Sequence, residues 1–240
     1  MTAPPRREQP APIIAREGWP IVAGFVIGWL VLSNATWYLA GPVGGWTAWG
    51  VGLLLVAWCV WFFRDPARRL PADPEAVICP ADGRVVIVDE APPPAELGLG
   101  PAPMRRVCIF MNVFNVHVNR CPTEGRVEKI AYRPGAFFNA SFDKASDLNE
   151  RSSMLVRLPD GRAMVVVQIA GLVARRIVCR VKEGAVLSGG ERYGLIRFGS
   201  RVDVYLPEGA KPAVRVGDVT AAGETIIAHL GCVKEGEACS

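Results

Sequence analysis

The chain has 240 residues, half of them hydrophobic, and a formal net charge of +4 at pH 7. This length accommodates one sizeable domain with additional elements. The charge is too small to indicate nucleic-acid binding, and basic and aromatic residues are not interleaved as in nucleic-acid-binding proteins. The high apolar content indicates a membrane segment, and the slight positive excess suits an anionic membrane surface.

The N-terminal quarter of the chain divides into a polar tail and a long apolar region. Residues 1–18 are rich in proline, arginine and glutamate, which predicts a disordered tail. No charged residue occurs from Trp19 to Phe63, where two apolar runs flank a Gly-Pro-Val-Gly-Gly turn at 41–45. Each run is long enough to cross a bilayer, so residues 19–63 are predicted to form a hairpin of two transmembrane helices. A hairpin that dips into one leaflet, a signal peptide and buried soluble helices are the alternatives.

Arginines on both sides of the apolar region determine its predicted orientation. Arg6, Arg7 and Arg16 precede it, and residues 64–75 form a basic, proline-rich linker after it. Positive charge is retained on the cytoplasmic side, and two spans return the chain to the side where it started. Both termini are therefore predicted in the cytoplasm, with the following domain at the inner face of the cell membrane.

Short apolar segments separated by turn residues occupy most of the remaining chain. Several short strands at this spacing predict a mainly β domain, of sandwich or barrel-like form, over residues 76–231. A hairpin is expected to turn at Pro-Asp-Gly, residues 159–161, and residues 232–240 are predicted to be a disordered tail. The strands are predicted over residues 76–79, 84–89, 107–118, 154–158 and 163–169.

The cysteines of the chain are scattered, odd in number and never arranged as Cys-X-X-Cys. This pattern favours reduced thiols in a cytosolic compartment over a disulfide framework or a zinc site. We therefore expect no metal, and we expect each cysteine to be a small buried hydrophobe. The seven are Cys59, Cys79, Cys108, Cys121, Cys179, Cys232 and Cys239.

Residues 194–207 have a strand-like pattern on both sides of Gly199 and Ser200. The simplest interpretation is a β-bulge at the glycine. A chemical interpretation is also open, because a serine hydroxyl lies beside its own preceding carbonyl. If that peptide bond is strained, Ser200 Oγ can attack the Gly199 carbonyl and convert the amide into an ester. β-Elimination then cuts the chain and leaves dehydroalanine, which hydrolyses to a pyruvoyl group.

Four short motifs extend this interpretation to other parts of the chain. In chain order they are Pro-Ala-Asp-Gly at 80–83, Phe-Met-Asn-Val-Phe-Asn-Val-His-Val-Asn-Arg at 110–120, Gln-Ile-Ala-Gly at 168–171 and Leu-Ile-Arg-Phe-Gly-Ser-Arg at 195–201. Together they resemble the phosphatidylserine decarboxylases in their short bacterial form. The turns at 80–83 and 214–226 also resemble the sandwiched-hairpin folds of lipoyl and biotin carriers.

The resemblance implies a lyase of phospholipid biosynthesis that decarboxylates phosphatidylserine in the membrane to phosphatidylethanolamine. Self-cleavage between Gly199 and Ser200 would give a β chain, 1–199, and an α chain, 200–240, that begins with a pyruvoyl group made from Ser200. This group would be the covalent cofactor, and no metal would be needed. The two chains are expected to stay together as a heterodimer, with a higher oligomer left open.

The resemblance also implies the residues that carry the proton transfers. His117 is the expected general base for the cleavage and Asp82 orients it, in the manner of a Ser-His-Asp triad. Several relatives have a second histidine three residues earlier, where this chain has Phe114, so both proton transfers fall to His117. Three phenylalanines are candidates for an apolar rim around acyl chains or for a core cluster: Phe137, Phe138 and Phe142.

Arg175 and Arg176 lie between apolar residues and suit either a lipid phosphate or a solvated strand face.

Three other hypotheses for the whole chain stay open. A membrane-tethered, non-enzymatic carrier-like module predicts one intact chain, but no lysine occurs in the usual Met-Lys setting. An inactive proenzyme relative would retain only the fold. A pyruvoyl decarboxylase of a soluble amino acid is disfavoured by the membrane hairpin.

Overall fold

The computed structural model describes residues 12–135, 149–171, 176–197 and 199–231. The chain forms two compact units, one of residues Pro10–Ala67 and one made mainly of Arg68–Ser240. The predicted phenylalanine cluster at 137–142 and the C-terminal tail from Cys232 lie outside the described residues.

The first unit contains one long apolar helix, α1 (Trp19–Phe62). Its length and composition would allow it to cross a membrane. At Gly41 the backbone leaves helical geometry, with φ of 71° and ψ of −172°, and Pro42 follows. The indole nitrogen of Trp29 donates to the carbonyl of Trp49 at 3.0 Å. A straight helix would separate two residues twenty positions apart by about 30 Å, so α1 does not continue straight through Gly41.

The end of the predicted N-terminal tail has regular structure. A short 3-10 helix covers Arg16–Gly18, and Ile14 forms a β-bridge with Arg64. The amide of Ala15 donates to the carbonyl of Phe63 at 2.8 Å. These contacts hold the residues just before α1 against the residues just after it, which the composition of the tail did not predict.

The second unit confirms the prediction of a mainly β domain. Its described strands pair antiparallel in an eight-stranded sheet, in the order β13-β2-β3-β11-β7-β6-β5-β9, and in two three-stranded sheets, β1-β14-β12 and β4-β10-β8. The strands are β1 (Ala76–Ile78), β2 (Gly83–Ala91), β3 (Met104–Met111), β4 (Val118–Arg120), β5 (Gly125–Arg133), β6 (Arg151–Arg157), β7 (Ala163–Ala170), β8 (Ile177–Cys179), β9 (Val186–Leu187), β10 (Arg192–Ile196), β11 (Ser200–Tyr205), β12 (Lys211–Pro212), β13 (Val219–Thr220) and β14 (Ile226–His229).

The side chains of strand β11 point to both faces of the large sheet, and the two faces are packed differently. Val202 and Val204 belong to the main hydrophobic core, whereas Tyr205 packs in a smaller cluster with Leu97. The intervening Arg201 and Asp203 are buried on the side of Tyr205, because successive side chains of a strand point to opposite faces. The same alternation puts Ser200 on the side of the main core.

One strand prediction differs from the structure, and the predicted hairpin agrees with it. The strand predicted over 107–118 ends at Met111, because Asn112 and Asn115 form a turn. The side-chain oxygen of Asn112 accepts the amide of Phe114, and that of Asn115 accepts the amide of Asn112, each at 2.9 Å. Asparagine side chains commonly stabilise turns in this way. The hairpin predicted around residues 159–161 is confirmed by the pairing of β6 with β7.

The stretch 194–207 is not a single bulged strand. β10 ends at Ile196 in one sheet, and β11 begins at Ser200 in another. The chain therefore changes sheets across residues 197–199, and Gly199 belongs to this connection. A local pattern cannot distinguish a bulge from such a crossing, because both need a short break between two strand-like runs.

Candidate active site

Ser200 begins a strand in the interior of the large sheet. It lies opposite Met111 of β3 on one side and Ala170 of β7 on the other. Its side chain is 0% exposed, and the Oγ atom has no hydrogen-bond partner among the described residues. A buried hydroxyl without a partner is unfavourable, so it usually indicates strain or chemistry at that position.

Gly199 has a backbone conformation that favours glycine. Its φ is 62°, in the left-handed region that other residues rarely adopt. A Cβ atom built on Gly199 would meet nothing within 4 Å. The need for glycine is therefore conformational rather than steric. The peptide bond predicted to be cut thus joins a glycine in a glycine-favoured conformation to a buried serine.

The topology places His117 beside the connection that leads to Ser200. β3 pairs with β11 and β4 pairs with β10, so the turn between β3 and β4 adjoins the segment between β10 and β11. The amide of Ile196 donates to the carbonyl of His117 at 3.3 Å. The imidazole is 0% exposed. The structure therefore brings His117 and the predicted cleavage segment together from distant parts of the sequence.

The ring of His117 is oriented by its own turn. Its Nδ1 lies 2.9 Å from the carbonyl oxygen of Asn115. A carbonyl oxygen can only accept, so this hydrogen bond requires the proton on Nδ1 and leaves the lone pair on Nε2. Phe114, for which the resemblance implied a histidine in several relatives, is 63% exposed.

Asp82 lies in the turn between β1 and β2. Among the described residues, its hydrogen-bond partners are Arg68 and Ala222 rather than His117, which it was expected to orient. Both of its carboxylate oxygens accept from Arg68 at 2.8 Å, and Oδ1 also accepts the amide of Ala222 at 2.7 Å. Within the described part of the chain, His117 is not among the hydrogen-bond partners of Asp82. The turn is nevertheless joined to β4, because the amide of Arg120 donates to the Pro80 carbonyl at 2.9 Å.

Two amide side chains beside Ser200 received no role from the sequence alone. Gln168 of β7 donates to Asn119 of β4 at 2.8 Å, and both side chains are buried. A Cβ at Gly194 would lie 2.9 Å from the Gln168 nitrogen and 2.4 Å from the Val178 carbonyl oxygen. This bond links a strand that pairs with β11 to the strand that follows His117. Gln168 lies inside the motif at 168–171 and Asn119 inside the motif at 110–120. Membership of these motifs was the sequence signal that could have indicated a role for both residues.

Residue 149 also supports the strand next to Ser200. The amide nitrogen of the Asn149 side chain donates to the carbonyl of Ala170 at 2.8 Å, and the amide of Ala170 donates to the carbonyl of Glu150 at 2.9 Å. Because Ala170 lies opposite Ser200, these contacts fix the backbone at the edge of the site. Residues 149 and 150 thereby have a structural part in the site.

A buried charge network begins at the residue after Ser200. Arg201 donates to both oxygens of Asp203, at 2.6 and 2.8 Å, and both side chains are at most 1% exposed. Arg106 lies 3.9 Å from Asp203 and pairs with Asp89 at 2.7 Å. Burial lowers the pKa of the Arg201 guanidinium, but Asp203 outweighs this, and the net pKa is raised. The network holds β11 to its neighbours on the face opposite the Ser200 side chain.

Among the residues that the structure describes, no group of three or more histidine, cysteine or acidic side chains could hold a metal ion. Three of the cysteines are fully buried. Burial raises the pKa of Cys79 to about 11 and that of Cys121 to about 12, and it raises the pKa of Cys108 further. These thiols remain protonated near neutral pH, so they carry no nucleophilic role here.

Comparisons with known proteins identify the family of the chain. Residues 55–228 match a model of the phosphatidylserine decarboxylase family. A phosphatidylserine decarboxylase proenzyme of Cereibacter sphaeroides is 54% identical over 215 residues, which cover 90% of this chain and 89% of the relative. One of Paramagnetospirillum magneticum is 53% identical over 217 residues, covering 90% and 87%. The chain belongs to the phosphatidylserine decarboxylase family.

Proposed function

We propose that this protein decarboxylates phosphatidylserine to phosphatidylethanolamine, with a pyruvoyl group made from Ser200. The observation that carries the proposal is the buried Ser200 Oγ without a described partner, next to Gly199 at positive φ, in a chain of this family. The relatives are named proenzymes, which supports a processing step.

The residues at the cleavage segment suit formation of the group. Neutral His117 can accept the Ser200 hydroxyl proton at Nε2, because its Nδ1 proton is held by the Asn115 carbonyl. Ser200 Oγ then attacks the Gly199 carbonyl, the peptide C–N bond breaks, and the serine amine is released as an ester forms. His117 passes the hydroxyl proton to the leaving amine and can then take the Cα proton of Ser200. Elimination breaks the Cβ–O bond, gives Gly199 a free carboxylate and leaves dehydroalanine. Water converts the dehydroalanine to the pyruvoyl group with loss of ammonia.

When present, the pyruvoyl group supplies a carbonyl that combines with the substrate amine and accepts the electrons left by loss of CO₂. The residues of the chain supply burial and proton transfer. Ser200 is 0% exposed in the sheet, which shields its Cβ and carbonyl from bulk solvent. His117 is the residue to which we assign the return of a proton to the substrate carbon.

Asp82 acts on His117 through the backbone. Its carboxylate fixes the β1–β2 turn to Arg68 and Ala222, and that turn bonds Arg120 in the strand directly after His117. We therefore assign Asp82 as a positioning residue.

The N-terminal unit acts as a membrane anchor in this proposal. The break at Gly41 and the hydrogen bond from Trp29 to Trp49 support a hairpin of two helices that places both ends of the segment on one side. Arginines before and after the hairpin favour the cytoplasmic side of the cell membrane for the β domain. A membrane anchor suits a substrate that stays in the bilayer.

The test uses Ser200→Ala and His117→Ala, with Ser188→Ala as a matched control at an exposed serine of the same domain. Ser200→Ala lacks the nucleophile and should remain one uncut, inactive chain. The His117→Ala chain should cut itself at least about 100-fold more slowly, because a general base typically contributes that factor or more. Denaturing gels report cutting, and CO₂ release from phosphatidylserine in detergent micelles reports activity. Normal cutting of Ser200→Ala would refute the proposal.

A further inference from the structure

We propose that Arg176 and Arg197 bind the phosphodiester of the phosphatidylserine headgroup. The inference rests on the proposed function, because it concerns the substrate of the same site. Its first basis is the pairing of β8 with β10, in which Ile196 lies opposite Ile177. One residue further along this antiparallel register places Arg197 opposite Arg176. The amide of Arg197 donates to the carbonyl of Arg176 at 3.3 Å, which confirms that the register continues.

Among the described residues, the two arginines form a like-charge pair without a neighbouring carboxylate. Like charges directly opposite on neighbouring strands destabilise a sheet. Within the described residues, no carboxylate forms an ion pair with Arg176 or Arg197. Several other arginines with reduced exposure in this domain do have carboxylate partners: Arg68, Arg106, Arg151, Arg162 and Arg201. The pair at 176 and 197 differs from these five in this respect.

Arg197 also has a buried donor without an acceptor. Its Nε is shielded from solvent and has no hydrogen-bond partner among the described residues, although the residue as a whole is half-buried. A buried charged donor without an acceptor is unfavourable. An anionic ligand would satisfy this donor and also relieve the repulsion between the two guanidinium groups. Arg176 is exposed, so a ligand can reach the pair without opening the fold.

The position of the pair fits a phosphodiester next to the reacting amine. Arg197 is three residues before Ser200, so their Cα atoms are at most about 11 Å apart. In phosphatidylserine two carbons and one oxygen separate the amine from the phosphorus. A headgroup whose amine reaches the carbonyl made from Ser200 thus has its phosphodiester close to this position. Arginine is suited to this contact, because its planar fork matches two phosphate oxygens.

Binding is best measured on the full chain with Ser200→Ala, since an uncut chain binds substrate without turnover. The probe is dihexanoyl phosphatidylserine below its critical micelle concentration, titrated by calorimetry. Arg197→Gln and Arg176→Gln, each added to this chain, should weaken binding about 10-fold or more, because each removes a charge-assisted hydrogen bond to the ligand. Adding Arg180→Gln, an exposed arginine at the end of β8, should leave the affinity unchanged. Arg176→Gln changes an exposed side chain, so it provides the test if Arg197→Gln does not fold.

Two further probes identify the ligand chemistry. Dihexanoyl phosphatidylglycerol shares the phosphodiester, so its binding should be weakened by the same substitutions. Inorganic phosphate should bind more weakly than either lipid; equal affinity would overturn the assignment to a phospholipid. Unchanged lipid affinity in both arginine variants would overturn the inference while leaving the proposed function intact. Failure of the unmodified chain to cut would refute the proposed function but would not affect these binding results.

Discussion

At the scale of single residues, the site depends on a glycine conformation that leaves the neighbouring serine buried. Gly199 has φ of 62°, and nothing lies within 4 Å of the Cβ position, so only the backbone conformation disfavours other residues. Ser200 contributes the hydroxyl and is held in register by β3 and β7. A change at residue 199 should therefore affect the geometry of the peptide bond more than the packing of the core.

We predict that Gly199→Ala slows self-cleavage. A left-handed conformation costs an alanine about 1–2 kcal/mol, so the backbone will relax away from the geometry that presents the Gly199 carbonyl to Ser200. Gly161→Ala is the matched control, because Gly161 also has positive φ and open space at Cβ but lies in the β6–β7 hairpin. The rate of appearance of the two chains on denaturing gels measures the effect. Equal rates in both variants would mean that the conformation of Gly199 does not matter for cleavage.

Residue identities in the site could be predicted from motifs, whereas their partners could not. Ser200 and His117 were proposed because their residue types suit nucleophile and base chemistry within recognisable motifs. The partners of Asp82 depend on the approach of Arg68 and Ala222, the latter 140 positions away along the chain. No local pattern encodes such an approach. Arg197 was missed because its significance comes from the register of β8 and β10.

At the scale of the element, β11 combines the proposed active-site residue Ser200 with a buried ion pair. Arg201 and Asp203 alternate with the core valines, and Arg106 of β3 extends the network. A periodic pattern cannot reveal that such polar residues are buried, because alternating charged residues usually indicate a solvated face. The prediction of strand at 200–205 was therefore sound, while the burial of both its faces was unexpected.

Removing one charge of this pair should destabilise the domain strongly. Asp203→Asn leaves Arg201 and Arg106 buried with less compensation, and breaking a buried pair in this way typically costs about 3–5 kcal/mol. Urea unfolding of the uncut Ser200→Ala chain, with and without Asp203→Asn, measures the difference. Glu90→Gln breaks the exposed pair with Arg105 and should change the free energy of unfolding by less than about 1 kcal/mol. Similar small effects for both substitutions would contradict the assigned role of the network.

At the scale of the whole molecule, the strands after the cut are integrated with those before it. β11 pairs with β3 and β7, β13 with β2, and β14 with β1. The two chains formed by cleavage should therefore stay together until the domain unfolds. The sequence predicted that the two chains stay together. It could not show which strands pair across the predicted cut, or that β10 and β11 belong to different sheets.

The thiols report on the integrity of the same domain. Burial raises the pKa of Cys79 to about 11 and that of Cys121 to about 12, so little reactive thiolate is present at pH 8. We predict that N-ethylmaleimide labels both slowly in the folded protein and rapidly in urea, with the folded-state rate still rising above pH 8. Peptide mass mapping over time measures this. Equal labelling rates in folded and unfolded protein would contradict the burial of these thiols.

The intact mass of the purified wild-type protein tests the central claim most directly. Two species are expected, one of them a fragment of residues 200–240 that is lighter than the unmodified peptide and blocked to amine reagents. Both features follow from conversion of Ser200 to a pyruvoyl group after cleavage at Gly199. A single full-length mass from a folded sample that releases CO₂ from phosphatidylserine would contradict the account.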